Sequence, residues 1–228
     1  MSAPWWEGPM VPFDLETTGP QPGSARIVQY AIRGESALLN PGVPIPEGAS
    51  GVHGITDEVV ADEPGFRDHA LRLYAALVEC VDTQTPIVGF NLAYDFTVLD
   101  REFRRHQTGY RVPAGLLVID AYVLDKAVDT YRKGQRRLAN VAAHYGVTPE
   151  SWHDSTADAR ASEGIAREIG RRYGAHDLMG LDMYLLHQRQ VYWRWEQQKS
   201  LRAYFDDRGT EHDGCPGHWP IIPGEVED

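Results

Sequence analysis

The sequence of 228 residues lacks the features expected of a membrane or secreted protein. It has only two cysteines, Cys80 and Cys215, so it offers no disulfide framework and suits a reducing compartment. No run approaches the roughly 18 to 20 consecutive apolar residues that span a bilayer. The opening segment MSAPWWEGPM also lacks the basic start and apolar centre of a signal peptide. We therefore predict a cytoplasmic protein with no membrane partner.

A surplus of positive charge is also missing, because the formal net charge is −11. This argues against a protein whose affinity for nucleic acid comes from a broad basic face. It does not exclude a nuclease, since a site made of carboxylates is acidic and bound cations reverse the sign that a phosphate meets. The one compact basic stretch is either a solvated loop or a contact to backbone phosphates. It comprises Arg132, Lys133, Arg136 and Arg137.

No internal repeat or low-complexity tract is present, and strand patterns alternate with helix patterns along the chain. Strands are predicted at 10–17, around 85–91 and around 116–120, with a β-hairpin turning at Gly34. Helices are predicted at 66–81, from 92 onward, at 138–145, at 154–173 and at about 176–208. The segment 41–55 is rich in proline and glycine and is expected to be a loop.

This alternation predicts an α/β layer fold. The chain is long enough for one sizeable domain but short for two. We expect a catalytic domain over residues 1–174 and a helical C-terminal extension and tail over residues 175–228.

Acidic residues in three places carry the candidate chemistry. Asp14 and Glu16 are two apart on the first predicted strand, so the pleat directs both side chains to the same face. Asp95 lies in the first turn of the helix that follows the strand TPIVGF, and Asp158 lies in the first turns of the late helix. Carboxylate oxygens of this kind suit Mg²⁺ or Mn²⁺, and unpaired buried carboxylates are too costly to be explained by burial alone.

Each of these signals has a plainer explanation when taken alone. An acid-x-acid pair is common in a chain with 33 Asp and Glu residues. The spacing from His153 to Asp158 arises readily by accident in a chain with nine histidines. Whether these residues form a metal site or occur together by chance therefore has to be judged from the order and context of the segments that contain them.

Three segments, in order, resemble the three motifs of the DnaQ-like exonucleases. They are FDLETTG on the first strand, GFNLAYDFTVLDREF at a strand-to-helix junction, and WHDSTADAR at the start of the late helix. VHGITDEVVADEP and KGQRRLANVAAHYGV resemble two further segments, so the resemblance runs from about residue 11 to residue 173. The histidine of the third motif is similar to that of the DEDDh branch, where a sister branch has tyrosine. The resemblance implies a ribonuclease H-like fold, with a mixed central sheet flanked by helices.

The resemblance also implies a role for each matched residue. Asp14 would touch both of two divalent cations, Mg²⁺ or Mn²⁺. Glu16 and Asp158 would complete the shell of the cation that holds the attacking water, and Asp95 would act mainly through bound water. His153 would take the proton from the attacking water, which suits an imidazole.

Five further residues occupy positions that border the terminal nucleotide in this family. They are Thr17, Thr18, His53, Ile55 and Asn91. Turn formation, loop packing and helix capping are the alternative explanations for these residue types.

The function implied by the resemblance is that of a 3′→5′ exonuclease. It would release nucleoside 5′-monophosphates from DNA 3′ ends, most readily single-stranded ones, in replication, proofreading or repair. A polymerase would be its partner if it proofreads. One alternative is an exoribonuclease on RNA 3′ ends or short oligoribonucleotides. Another is a non-catalytic nucleic-acid or partner-binding module on the same fold, against which the five intact catalytic positions argue.

The extension is the least explained part of the chain. Its helical apolar stripe is either core packing or a partner-binding face. Trp193 and Trp195 are two apart and cannot face the same side of a helix, so one of them is expected to be exposed.

The extension contains two short patterns, one similar to a partner-binding peptide and one with residue types that can bind a metal. Residues 197–205, QQKSLRAYF, loosely resemble a sliding-clamp-binding peptide, although the spacing departs from the usual pattern. His212, Cys215 and His218 in the tail offer too few ligands at this spacing for a structural zinc site. We therefore assign the tail no role from the sequence.

Overall fold

The structure is a computed structural model and describes residues 3–149, 154–174 and 180–224. A single 3₁₀ turn at Trp5–Glu7 precedes the first strand. The strands are β1 (Val11–Thr17), β2 (Ile27–Ile32), β3 (Glu35–Leu38), β4 (Ile87–Gly89) and β5 (Val118–Asp120). The helices are α1 (Glu47–His53), α2 (Asp57–Val60), α3 (Phe66–Asp82), α4 (Leu92–Arg105), α5 (Ala121–Val128), α6 (Leu138–Tyr145), α7 (Ser155–Tyr173) and α8 (Met183–Arg208).

The five strands form one mixed sheet in the order β3-β2-β1-β4-β5. β1 pairs antiparallel with β2, and β2 pairs antiparallel with β3. β4 is parallel to both β1 and β5. Because the carboxyl ends of parallel strands meet at the same edge of a sheet, the ends of β1, β4 and β5 lie together. The predicted α/β fold, with a mixed sheet and flanking helices, is confirmed.

The hairpin between β2 and β3 turns on two residues with positive φ angles. Arg33 has φ 56° and Gly34 has φ 77°. A two-residue turn with both central residues in this region matches the twist of antiparallel strands, so the hairpin predicted at Gly34 is confirmed.

The two faces of β1 carry different chemistry. Phe13 and Leu15 are buried and alternate with the half-buried Asp14 and Glu16. Phe13 stacks on Phe96 of α4, with ring centroids 5.4 Å apart. The helix α7 packs against β1, β2 and β4. The face of β1 with Phe13 and Leu15 thus joins the core, and the face with the two carboxylates meets the first turn of α7, which carries Asp158.

The loop predicted for residues 41–55 is wrong in part, because α1 occupies Glu47–His53. Pro46 precedes the first turn, and Gly54 ends the helix in the left-handed conformation at φ 73°. Ile45 and Ile55 flank the helix and are buried in a small cluster of their own. This packing stabilises a helix whose internal glycines lower its intrinsic propensity.

The helix α8 begins later than predicted, at Met183, where the side chain of Asp182 accepts the N–H of Leu185 at 2.8 Å. The predicted start at residue 176 lies outside the described residues. Trp193 is buried and Trp195 is 49% exposed, which confirms the expected difference between them. No helix within the three described ranges combines the length and apolar character needed to cross a membrane.

Gln190 joins α8 to β5, the outermost strand on this side of the sheet. Its side chain accepts the N–H of Asp120 at 2.7 Å and donates to the carbonyl of Val118 at 2.8 Å. The following tail returns to the domain, where Trp219 donates its indole N–H to Asp120 at 3.2 Å. The C-terminal region is therefore packed along β5.

Candidate metal centre

Three carboxylates converge beside the end of β1. Asp14 and Glu16 come from β1 and Asp158 comes from the first turn of α7. Each offers one oxygen, and these atoms all lie within 4.8 Å of one another. The pleat of β1 brings the first two together, as expected from their spacing.

The start of α7 is fixed in a way that aims Asp158 at β1. Asp154 caps the helix by accepting the N–H of Ala157 at 3.0 Å. The backbone N–H of Ser155 donates to the side chain of Gln29 on β2 at 3.3 Å. The first bond fixes the start of the helix locally, and the second sets the position of the first turn relative to the sheet.

Asp95 approaches the same place from α4. One of its oxygens accepts the backbone N–H of Leu15 at 3.2 Å, between Asp14 and Glu16 on β1. Asp95 is buried, and its charge raises the pKa of Asp14. It therefore borders the three-carboxylate cluster without being one of its three members.

The electrostatics of the cluster disfavour ionised carboxyl groups in the absence of a counter-charge. Burial, followed by the charges of Asp95, Glu16 and Asp158, raises the pKa of Asp14 well above its usual range. Burial and the charge of Asp158 raise the pKa of Glu16 to about 7. Burial also raises the pKa of Asp95 to about 8, although the bond from Leu15 opposes this. These groups repel one another when ionised.

This arrangement fits a hard cation. Carboxylate oxygens are the ligands that Mg²⁺ and Mn²⁺ prefer. A divalent ion placed among them would turn mutual repulsion into attraction and lower their pKa values. The acidic cluster can therefore hold a metal ion.

A cavity of about 540 Å³ opens next to the cluster. Glu16, Thr17, Thr18 and His53 are among its lining residues. Three of the five residues predicted to border a terminal nucleotide thus lie around one space beside the carboxylates.

The other predicted residues lie elsewhere. Ile55 is buried in the small core cluster with Val28, and among the described residues it is not part of the cavity lining. Asn91 occupies the position before α4 with φ 62°, and its N–H donates to Asp120. Asn91 likewise does not line the cavity. His153 lies outside the described residues.

Tyr94 was missed by the sequence analysis. Its hydroxyl lies 2.5 Å from the Thr17 hydroxyl and also donates to the carbonyl of Gly19. It lines the cavity and joins the first turn of α4 to the segment after β1. The sequence feature that could have marked Tyr94 as a site residue is its position immediately before Asp95. A tyrosine at that position is equally consistent with core packing.

Asp120 was missed as well. It is fully buried at the end of β5 and accepts the N–H groups of Asn91, Leu92 and Tyr122 at 2.8, 3.0 and 3.1 Å. One carboxylate therefore caps the N-terminal ends of both α4 and α5. An aspartate between a buried strand and a helix is a capping signal that sequence alone could have used.

The basic stretch behaves differently from either sequence-based interpretation. Arg132 and Arg136 both pair with the buried Asp125, which also accepts the hydroxyl of Tyr145 at 3.1 Å. These two arginines are thus structural. Lys133 and Arg137 are exposed, so the alternatives of solvated loop or phosphate contact apply to them only.

In the tail, His212, Asp213 and Cys215 come within 4.8 Å of one another. Both ring nitrogens of His212 are already engaged, one with Asp206 at 3.0 Å and the other with the N–H of Gly214 at 2.9 Å. His218, next to Trp219, lines a separate cavity together with Tyr192 and Trp195. We assign this group no metal.

The mixed sheet of this order, flanked by helices, is a ribonuclease H-like fold, and carboxylates lie together at the end of β1 and at the starts of α4 and α7. The chain belongs to the RNase T exonuclease family, whose model matches residues 11–165, about two thirds of its length. It is thus an exonuclease of the DnaQ and RNase T type that acts on nucleic acid. The predicted family is confirmed.

A relative and two solved structures illustrate the similarity. The DNA polymerase III subunit epsilon of Treponema pallidum is 27% identical over 158 residues, covering 65% of this chain and 70% of that protein. Exonuclease X in complex with 5′ overhanging duplex DNA matches with a TM-score of 0.53 at 21% identity, over 72% of this chain and 93% of its own.

Escherichia coli exonuclease I in complex with a dT13 oligonucleotide matches with a TM-score of 0.59 at 20% identity. That match covers 73% of this chain but only 42% of the exonuclease I chain. This chain therefore spans less than half the length of that enzyme, and the likeness concerns the fold.

Proposed function

We propose that this protein is a metal-dependent 3′→5′ exonuclease that removes nucleoside 5′-monophosphates from DNA 3′ ends with the help of two divalent cations, Mg²⁺ or Mn²⁺. The observation that carries the proposal is the convergence of Asp14, Glu16 and Asp158, whose oxygens lie within 4.8 Å of one another beside a cavity. A 3′ terminus in that cavity would place its last phosphodiester next to the carboxylates.

The residues of the chain would divide the work. Asp14 would bind both cations, and Glu16 and Asp158 would bind the one nearest the nucleophile. Asp95, held by the N–H of Leu15, would orient water at the border of the cluster. His153 would accept the proton of the attacking water. When bound, two cations lower the pKa of that water and neutralise the charge that develops on the leaving 3′-oxygen.

The cavity would hold the terminal nucleotide. The hydroxyls of Thr17 and Tyr94 are bonded to each other and fix the segment that follows β1, so the wall of the cavity is preorganised. Thr18 is likewise held, because its hydroxyl accepts the N–H of Arg26 at 2.9 Å. Such fixed walls position a substrate at little cost in ordering.

Replication, proofreading or repair would be the setting. The related epsilon subunit belongs by name to DNA polymerase III, and the matched exonuclease structures contain overhanging and single-stranded DNA. Together these support single-stranded DNA as the substrate and a polymerase as the partner. A sliding clamp has less support, because residues 197–205 lie within α8.

The test uses single-stranded DNA and RNA of matched sequence, each labelled at the 5′ end and incubated with Mn²⁺ or with EDTA. We expect a ladder of shortened labelled DNA with Mn²⁺, no products with EDTA, and loss of all products in Asp14→Asn. Asp14 is expected to be essential because it would contact both cations. Release of the label as a mononucleotide in the first turnovers would instead indicate 5′→3′ polarity and contradict the proposal.

The same assay separates the remaining alternatives. Faster shortening of the RNA strand would favour an exoribonuclease. In His153→Ala we expect metal binding by calorimetry to be retained while turnover falls roughly 10²-fold or more. Full activity in Asp14→Asn would show that the carboxylate cluster is not the active centre.

A further inference from the structure

The outer face of α8 forms an aromatic groove with the tail. The groove has a volume of about 590 Å³ and lies between Val191, Tyr192 and Trp195 on the helix and residues 217–221 of the tail. Tyr192 is 53% exposed and Trp195 is 49% exposed. Their ring centroids are 6.4 Å apart with an interplanar angle of 32°. Two large aromatic side chains thus lie side by side, each about half exposed.

The tail holds this groove in shape. Gly217 passes so close to Trp195 that an added Cβ would lie 3.0 Å from the indole ring and 3.1 Å from its Cα. Trp219, on the floor of the groove, is anchored by its bond to Asp120. The aromatic surface is therefore rigid before any partner arrives, which lowers the cost of binding.

Positive charge accompanies the aromatic rings. Lys199 places its ammonium 4.8 Å from the ring centroid of Trp195. Arg202 follows Trp195 by seven residues, or about two turns, and so lies on the same face. The helix Met183–Arg208 carries five Lys or Arg and three Asp or Glu, a net of +2 in a chain of net −11. This sum covers the whole helix, including the buried Arg194; on the groove side Lys199 is exposed and Arg202 lies 3.8 Å from the exposed carboxylate of Asp206. The helix is thus less repulsive to a polyanion than the rest of the chain.

The groove is also linked to the carboxylate cluster. Trp219 bonds to Asp120, which also accepts the N–H groups of Asn91 and Leu92 at the start of α4, the helix that carries Asp95. Asp120 pairs in register with Gly89, at the end of the strand that leads into α4. The groove therefore lies on the β5 side of the candidate metal centre.

We propose that this groove binds the single-stranded part of the nucleic-acid substrate that lies 5′ of the terminal nucleotide. Bases would stack on Tyr192 and Trp195, and phosphates would contact Lys199 and Arg202. Exposed aromatic rings interleaved with basic side chains are the usual features of sequence-tolerant single-strand binding. The proposal rests on the proposed exonuclease function and extends it from the terminus to the body of the strand.

The experiment compares a trinucleotide with a DNA strand of about 20 nucleotides, which exceeds the roughly 4 to 16 nucleotides covered by common single-strand modules. Binding of the long strand is measured by fluorescence anisotropy in EDTA, and hydrolysis of both substrates is measured with Mn²⁺. In Trp195→Ala and Tyr192→Ala we expect the Kd and KM for the long strand to rise roughly 5- to 150-fold, the effect of losing one stacked base. The kcat and the rate on the trinucleotide should not change.

Tyr204→Ala is the matched control. Tyr204 is also on α8 and is 51% exposed, but it follows Trp195 by nine residues and thus points to the opposite side of the helix. We expect wild-type binding in this variant. Lys199→Ala tests the charge without removing an aromatic ring, and it should reduce the slope of log K against log salt by about 0.7.

Several outcomes would overturn the proposal. One is an equal loss on the long strand and the trinucleotide in Trp195→Ala. Another is wild-type affinity for the long strand in both aromatic variants. Self-association of the wild type in sedimentation that is lost in Trp195→Ala, with unchanged strand binding, would identify the groove as a protein interface. Failure of the exonuclease function would appear separately, as strand binding in EDTA without hydrolysis by the wild type.

Discussion

The carboxyl groups of Asp14, Glu16 and Asp95 have raised pKa values in the protein without metal. Burial is the main cause, and their mutual repulsion adds to it. A group in this state binds its proton more tightly in the folded protein than in the unfolded chain. The cluster therefore costs stability wherever the carboxyls are forced to ionise without a cation.

The sign of the pH dependence follows from this. The pKa of Glu16 rises from its ordinary 4.5 to about 7, so its contribution to stability is present below 4.5 and lost as the pH approaches 7. The pKa of about 8 for Asp95 extends the loss further. In EDTA we expect the Tm to fall between about pH 5 and about pH 8, and added Mn²⁺ to raise it more at the higher pH.

Scanning calorimetry or fluorimetry across this range would measure the effect. The variant Glu16→Gln has no titrating carboxyl at this position. Its Tm in EDTA should therefore fall less steeply with rising pH than the Tm of the wild type. A Tm gain from Mn²⁺ that is equal at both pH values would contradict the prediction.

For individual residues, the sequence predicted the positions of some side chains of the site better than those of others. The i, i+2 spacing of Asp14 and Glu16 was sufficient because the pleat of a strand fixes their shared face. The placement of Thr17, Thr18 and His53 around one cavity could be expected only by resemblance. The bond of Tyr94 to Thr17 and those of Asp120 to Asn91 and Leu92 join segments far apart in the chain, so only the capping of α5 by Asp120 had a local signal.

Among the elements, α7 has a second contact surface besides the one that carries Asp158. Gly170 lies against Trp6 of the N-terminal segment, and a Cβ at Gly170 would come within 2.3 Å of the Cβ of Trp6. Arg167 holds the same segment by donating to the carbonyls of Trp6 and Gly8 at 2.5 and 3.1 Å. The close fit of α7 against the N-terminal segment therefore depends on the absence of a side chain at Gly170.

Gly170→Ala is therefore expected to destabilise the protein. Helix propensity would gain up to about 1 kcal/mol, whereas overpacking costs about 1 to 3 kcal/mol, a net loss of up to about 2 kcal/mol. The cost is expected near its upper end because the new methyl meets the Cβ and Cγ of Trp6, which cannot swing away as the end of a flexible side chain could. Urea unfolding monitored by circular dichroism measures the change. Gly51→Ala in α1, where a Cβ meets nothing within 4 Å, is the control and should be neutral or stabilising. A more stable Gly170→Ala would show that the segment shifts freely.

Most elements could be predicted because their signals are local. The turn at Gly34 and the end of α6 at Gly146, which has φ 75°, are marked in the sequence by a glycine that readily adopts a positive φ angle. The helix α1 could not be predicted in this way, since Gly48 and Gly51 oppose it and only the burial of its flanks favours it. Propensity is a weak guide where tertiary packing decides.

For the whole molecule, we propose that residues 1–174 form the exonuclease domain and that residues 175–228 are an appended extension. The contacts suggest that the two are not independent. Leu186, Trp193 and Trp219 of the extension are buried, and burial of such side chains stabilises a protein by about 1.5 to 3 kcal/mol each. Gln190 also occupies the backbone groups of β5.

Truncation after residue 174 is accordingly expected to lower the free energy of unfolding by several kcal/mol. Denaturant titration of the truncated and full chains would measure the difference in the free energy of unfolding. Unfolding should be monitored by circular dichroism, because truncation removes the tryptophans of the extension and the fluorescence of the two chains is not comparable. If the two chains had the same unfolding midpoint, the extension would be an independent appendage.

The position of Gln190 along β5 has a consequence for how copies of this protein can meet. An unoccupied outer strand invites a strand from another molecule to continue the ladder, which is a common route to aggregates and fibres. Here an incoming strand would have to displace an amide that already bonds on both its donor and acceptor sides. At the opposite end of the sheet, β3 has only four residues and carries Glu35 in an ion pair with Arg72. Growth by sheet extension is therefore opposed at both sides of the sheet.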